Sequence, residues 1–367
     1  MKEGWEYLKF EDALQTVKYT KKVQSSDYLQ EGLIPIISQE EDLISGYWNN
    51  ADDSFKVDAP VVIFGDHSRV VKYVDCDFVL GADGVKILKP KKNLNARYLY
   101  HYLKWYKVPS LGYSRHYKLL KEIILPIPPL SEQKHIFEEL DLLSNIIDKK
   151  KVQLQELDNL AQSIYYEMFG NPIINEKGWM ISTVKDLGKV ITGNTPSRKI
   201  PQYYDSEYIE WIKTDNILKD SLYATRAKEY LSESGAVQGR TVDKGALLVA
   251  CIAGSIDSIG KVCVTDRNVA FNQQINAIIP NKDNDVLFLY YTIVLMGGYI
   301  REHATSGMKH IITKSAMEAL LFPIPPLNLQ QQFARKIEAI EHQKELIKQS
   351  IKEVETLLNS RMDYYFN

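Results

Sequence analysis

Cysteine is scarce in this sequence: three in 367 residues, Cys76, Cys251 and Cys263, with no CxxC and no cysteine–histidine cluster. A zinc site is therefore not expected, and Cys76 and Cys263, which lie in apolar strand-like runs, are expected to be small buried thiols. Long hydrophobic runs are missing too. No stretch of about 18 uncharged apolar residues exists, and Met1-Lys-Glu-Gly-Trp5 lacks the apolar core of a signal peptide, so neither membrane insertion nor export is expected and the chain reads as cytoplasmic. There is no excess of either charge: 45 Lys and Arg stand against 47 Asp and Glu, a net −2, which by itself does not announce a nucleic-acid binder. The seven histidines form no ligand spacing with one another or with cysteine, and no metal is assigned. With 45% apolar and 25% charged residues the composition is that of a globular protein, and the length suggests two or three domains.

What the sequence does have is a repeat. Leu125-Pro-Ile-Pro-Pro-Leu130 returns as Phe322-Pro-Ile-Pro-Pro-Leu327, a shift of 197, and each copy runs into a long amphipathic pattern. In the first, Ile136, Leu140, Leu143, Ile147, Leu154, Leu157, Ala161, Ile164 and Met168 alternate by fours and threes, broken only at Lys150. The second reads Phe333, Ile337, Ile340, Lys344, Ile347, Ile351, Val354, Leu358, Arg361, Tyr365. This is a heptad seam, and two seams in register predict a pair of coiled-coil helices, each roughly 55 Å long. A chain in which globule and rod alternate twice brings such seams together only if the rods pair antiparallel. The Pro-Pro turns place Ser131 and Asn328 as N-caps, Glu132 in a first turn and Gln331 in a capping-box-like pair with Asn328. The first rod has an excess of acidic over basic residues, leaving 35 basic against 33 acidic residues outside the two rods.

The globules repeat as well. Gly4-Trp5 corresponds to Gly178-Trp179 at an offset of 174, and Val85-Lys-Ile-Leu-Lys-Pro90 to Ile275-Asn-Ala-Ile-Ile-Pro280 at 190, each followed by a short helical segment. The growing offset means that the second copy carries insertions, and loops are where binding specificity resides. The expected fold is mixed α/β: two globules separated and joined by two long antiparallel helices, a pseudo-two-fold repeat. The expected divisions are 1–124, a first globule; 125–170, a Pro-rich turn and helix; 171–321, a second globule; and 322–367, a second turn and helix.

No catalytic constellation is present. Gly254-Ser-Ile-Asp-Ser-Ile-Gly260-Lys261 has one residue too many for a P-loop and Val262 where Ser or Thr would hold magnesium, so it reads as a hairpin turn. Gly170-Asn171-Pro172-Ile173 lacks the second proline and the aromatic of a base-gripping methyltransferase motif and reads as a helix stop. What remains are polar loops whose side chains match base edges. In the first copy these are Ser38-Gln39, His67-Ser68-Arg69 and Arg115-His116-Tyr117. In the second they are Asn194, Thr195, Ser197 and Arg198; Lys213, Thr214 and Asn216; Asn272-Gln273-Gln274; and Lys309-His310. Such loops also occur on any soluble protein, and Asn272-Gln273-Gln274 fits a buried hydrogen-bonding cluster as well.

The two Pro-Ile-Pro-Pro-Leu turns, the Glu132-Gln133 and Gln330-Gln331-Gln332 that follow them, the heptad helices and the alternation with divergent globules together resemble the specificity subunit of a Type I restriction–modification system. The second globule matches through Gly193-Asn-Thr-Pro-Ser197, Asn272-Gln273-Gln274 and Gly307-Met308-Lys309-His310, whereas the first lacks the Gly-x-Thr-Pro-Ser turn. The resemblance implies two target recognition domains, each reading half of a bipartite site in double-stranded DNA, and two methyltransferase subunits docked along the helices. It also implies restriction (motor) subunits in the full complex, with S-adenosylmethionine, ATP and magnesium bound by these partners and no cofactor or catalysis in this chain. The competing expectations are a coiled-coil scaffold whose globules bind proteins or peptides and, against the missing motifs, a self-contained DNA methyltransferase or nuclease.

Overall fold

The computed structural model describes residues 4–367 other than Asp83, Asp220, Ser306 and Met308, so the Met308 of the matched motif lies outside the described residues. The chain divides into two units, Met1–Val152 with Ile347–Asn367, and Gln153–Leu346.

The first unit is organised on an antiparallel sheet in the order Leu14–Gln15, Val85–Pro90, Val61–Gly65, Val71–Val74. The β-branched run at its centre is buried along its whole length, as expected where side chains are covered on both faces. Beside it Ile34–Ile37 pairs in parallel with Val79–Leu80 and antiparallel with Gly46–Trp48. The second unit repeats this plan in the order Gly188–Thr192, Ile275–Pro280, Leu247–Ala250, Val262–Val264, and Ile209–Ile212 pairs in parallel with Val269–Phe271. The offset of 190 carries through to the helix that follows the inner strand. Asn95 caps Ala96–Tyr106 by accepting from the Arg97 and Tyr98 amides, and Asp285 caps Val286–Leu295 by accepting from Leu287 and Phe288.

The proline-rich turns are only partly turns. Ile124–Ile127 is a strand paired with Glu6–Lys9, and Leu321–Ile324 one paired with Met180–Thr183. Phe10 N–H donates to Ile123 O and Val184 N–H to Leu320 O, a phase that puts Pro126 and Pro323 at positions where no ladder bond is required. The helices then begin two residues earlier than the expected caps imply, at Leu130 and Leu327. Ser131 and Asn328 therefore lie inside the first turn rather than at its cap, and Gln331 is exposed. Instead, Gln133 and Gln330, both fully buried, fasten the helix starts. Gln133 donates to Asn93 O (2.8 Å) and Pro128 O (2.7 Å) and accepts from Asn95 N–H (2.7 Å). Gln330 donates to Pro325 O (2.8 Å) and accepts from Asp285 N–H (2.8 Å). Leucine at either position leaves several buried main-chain groups unpaired, so Gln133→Leu and Gln330→Leu each destabilise by roughly 1–3 kcal/mol in a denaturant melt.

The rods, Leu130–Phe169 and Leu327–Phe366, pack antiparallel within each unit. In the first, Ile136 and Leu140 share a core with Met362, Tyr365 and Phe366, with Leu358 against it, and Arg361 Nε donates to Glu139 at 2.5 Å. In the second, Tyr165 and Phe169 meet Phe333 with ring centroids 5.6 and 5.4 Å apart, Ile337 and Ile340 join that core, and Leu157 and Ile164 pack on it. Along the seam Ile136, Leu140, Leu143, Ile147, Ala161, Phe333, Ile337 and Ile340 are buried, and Leu154, Ile164, Met168, Ile347, Ile351, Val354 and Leu358 are partly buried. Leu154 and Leu157 are thus half-buried where full burial was expected, because two helices alone cannot cover a seam from all sides. Lys344, read as a seam position, is buried; its ammonium lies 2.7 Å from Asp158 and 2.8 Å from Glu341, and these partners outweigh burial and raise its pKa. Cys251 and Cys263 are buried as small core residues, but Cys76 is exposed, since the strand before it ends at Val74. Gly170 ends the first rod with φ +75°, the left-handed stop expected of it. Among the described residues no helix is long and apolar enough to cross a membrane.

Candidate functional site

In the first unit, the segments around Gln39 and 112–117 converge on the turn after Val61–Gly65. Gly65 has no room for a side chain: a Cβ would lie 2.2 Å from Ser68 Oγ. Asp66, buried, ties the 112–117 segment to this turn. Its carboxylate accepts from Tyr117 N–H at 2.7 Å, and its carbonyl accepts from the backbone and ring of His116 at 2.8 and 2.9 Å. Gln39 holds the other side, accepting from His67 N–H at 3.2 Å and, through its carbonyl, from Ser68 Oγ at 2.5 Å.

The predicted residues separate into two groups here. His67, Ser68 and Arg115 are exposed and Gln39 half-buried on this rim. Ser38 is buried and bonded to Ser45 at 2.7 Å. His116 is buried, and because its Nε2 accepts from Leu111 N–H at 2.9 Å, the proton sits on Nδ1; both ring nitrogens serve the fold. Tyr117 is half-buried beside Lys86 and Lys121, and burial pushes its hydroxyl up to about 12. Arg69, exposed and at φ 65°, donates from its guanidinium to Val108 O at 3.1 Å and lines a cleft together with Ser68.

The second unit builds its rim around Asn272-Gln273-Gln274. Gly193 lets two segments touch, since a Cβ there would stand 2.1 Å from Asn272 O. Thr195 Oγ1 donates to Gln273, and Asn194 donates to Gln238 O at 2.7 Å. Asn272 is buried; its amide is bonded to Gln274 at 3.1 and 3.0 Å, so the buried-cluster reading describes it. Asn216 is likewise internal, bonded to Lys213 N–H, Thr225 and Arg226 O. Gln274 and Thr214 line a cleft of about 330 Å³ with Lys261 and Ser258. His310, beside the exposed Lys309, pairs with Ala253 on the strand next to that cleft. Ser197 is exposed on the turn.

Arg198 and Lys213 are brought together by residues that spacing did not flag. Both pair with Glu229, and both lie over Trp211 at 5.0 Å, with Arg198 also 4.3 Å from Tyr204. The two cations hold the Glu229 carboxyl below its ordinary range. Glu210, the residue before Trp211 on the same strand, is buried; burial would raise its pKa, but Arg267, the Ala227 amide and Arg226 bring it down to about 2. Among the described residues no group of three or more His, Cys, Asp or Glu is placed to hold a metal ion.

A family model for the Type I restriction modification DNA specificity domain matches residues 2–159 and 176–356. The specificity subunit of the Type I restriction enzyme EcoR124I/EcoR124II of Escherichia coli is 23% identical, over 96% of this chain and 89% of its own. That of the HindI enzyme of Haemophilus influenzae is 29% identical over 47% of this chain and 33% of its own. The crystal structure of the Type I restriction-modification S subunit from M. genitalium superimposes with a TM-score of 0.62 at 13% identity, covering 98% of this chain and 95% of that one, and so shares the fold. With both repeats matched and nearly the whole length covered, the chain belongs to the Type I restriction-modification DNA specificity family and is a specificity subunit carrying two recognition domains.

Proposed function

We propose that each globule reads one half of an asymmetric, bipartite site in double-stranded DNA, while the rods dock two methyltransferase subunits and set the distance between the half-sites. The observation that carries this is the repetition itself: one sheet plan occurs twice, each time with a rim of exposed polar side chains held by buried hydrogen bonds. Unlike rims on like frames suit an asymmetric sequence and two identical partners. The direct readers are Gln39, His67, Ser68 and Arg115 in one half and Thr195, Ser197, Arg198, Lys213, Thr214, Gln273, Lys309 and His310 in the other. Ser38, Arg69, His116, Tyr117, Asn194, Asn216, Asn272 and Gln274 position them. Segments 1–124 and 171–321 are the recognition units, and 125–170 and 322–367 the connecting ones. Restriction subunits complete the complex, and S-adenosylmethionine, ATP and magnesium belong to the partners.

Mapping methylated adenines in cells with and without this gene tests the reading: a bipartite motif is methylated only when the gene is present. Loss of the gene with no change in methylation refutes it.

The balanced charge outside the rods makes binding by the isolated chain weak, because phosphate contacts supply most non-specific affinity. Glu229 contributes to that weakness by occupying Arg198 and Lys213. Glu229→Gln therefore raises affinity for duplex DNA several-fold at low salt and steepens the slope of log K against log salt by up to about 2, measured by anisotropy over a salt series.

A further inference from the structure

The two repeats differ at one sheet edge. In the second, Val262–Val264 is the outer strand of its sheet, and the chain covers it. Val264 N–H donates to Leu222 O at 2.7 Å and Ala224 N–H donates to Val264 O at 3.3 Å, so Leu222–Ala224 lies alongside as a short parallel strand. Leu222 is buried in the unit's main core. The covering residues belong to the connection 213–229, which is longer than its counterpart 38–45.

In the first repeat the corresponding strand is Val71–Val74. Leu88 and Ile278 are equivalent at the offset of 190; Leu88 faces Val62 and Ile278 faces Leu247, and these face Tyr73 and Val264 respectively. Tyr73 therefore occupies the place of Val264. Gly65 N–H donates to Val70 O, a phase that turns the N–H and C=O of Val71 and Tyr73 outward. Neither takes a hydrogen-bonded partner there among the described residues. A cleft of about 920 Å³ runs along this edge, between Glu41 and Leu43 on one wall and Arg97, Tyr100, Leu103, Lys104, Lys107 and Val108 on the other. Its floor includes Arg69 and the buried Lys72, whose ammonium donates to Ser38 O and Asp42 O at 3.0 and 2.5 Å. Arg97 is neutralised by Asp141, but Lys104 and Lys107 form no ion pair among the described residues, and Glu41 is the only carboxylate on the lining.

We propose that the edge at Tyr73 is a docking site for an extended acidic segment of a partner protein, which adds to the sheet as a parallel strand in the place that Leu222–Ala224 fills in the second repeat. An exposed edge offers alternate donors and acceptors, which another backbone satisfies and a phosphodiester, having no donor for the Tyr73 carbonyl, does not. The surplus of cations selects acidic flanks, and Tyr100, Leu103 and Val108 offer the apolar wall for a leucine-sized side chain.

The test uses the full chain and a fluorescent peptide, Asp-Asp-Ser-Leu-Tyr-Ala-Thr-Asp-Asp, with a twin methylated on the alanine nitrogen, followed by anisotropy. The peptide binds, and loss of that one main-chain donor weakens it about tenfold or more. Lys104→Glu with Lys107→Glu weakens it at least as much. Tyr73→Pro, which removes the outward N–H that donates to the peptide's leucine carbonyl, weakens the unmethylated peptide, whereas Tyr73→Val, the residue of the second repeat, retains both binding and the methylation effect. Equal binding of the two peptides overturns the proposal, as does no binding by a chain with an unchanged melting curve. If the lysine reversals weaken duplex DNA binding and the peptide does not bind, the cleft is a phosphate track and the proposal fails.

Discussion

Exchanging the first globule for that of a related specificity subunit replaces one half of the methylated motif completely and leaves the other half and the spacer unchanged. Each rim is assembled within one unit: Asp66, Gln39 and Gly65 hold the first, and Gly193, Asn272 and Thr195 the second. The position of the cut matters. A boundary at residue 124 pairs an incoming Glu6–Lys9 with a resident Leu125–Ile127, whereas a boundary at Pro128 moves both strands of that ladder together. The chimera cut at Pro128 is the more stable of the two, and sequencing of methylated adenines reads the result. A chimera with both halves altered would mean that the two rims form one composite site.

The second large effect concerns the rods. Inserting four residues after Lys150, about one turn or roughly 6 Å, lengthens one helix alone. In the first unit Glu139 faces Arg361, so the antiparallel register brings Lys150 near Ser350. An unmatched turn forces the seam to slip, and DNA modification is expected to fall below detection. A matched insertion after Ser350 restores pairing and shifts the spacer by one or two base pairs at about 3.4 Å each, with both half-site sequences unchanged. Full activity with the original spacer in the doubly lengthened protein would show that the helices dock partners without measuring distance.

The seam, the repeat and the antiparallel pairing were legible because they rest on periodicity and topology, which a sequence states directly. Asn95 and Asp285 could be paired through the offset of 190 for the same reason. Local detail was harder wherever one residue type serves two ends. Proline suggested turns at 125–127 and 322–324, yet it fits a strand when its missing N–H falls between ladder bonds. Serine and asparagine suggested caps, but the helices start before them, at the leucines that follow the prolines, and buried glutamines do the fastening. His116 and Asn272 have the chemistry of base readers and are used inside. Glu229 went unnoticed because its importance is a matter of which cations fold beside it, and no spacing rule carries that.

Gln133 and Gln330 fasten each helix start to the preceding segments using main-chain partners alone. Such a joint is indifferent to side-chain identity and sensitive only to the path of the backbone. Almost any residue can therefore change in the segments it grips without loosening the grip. The joint behaves as a standard socket, so that new recognition surfaces can be tried on an old frame, and drift is tolerated in the globules because the fastening never asks what they are made of.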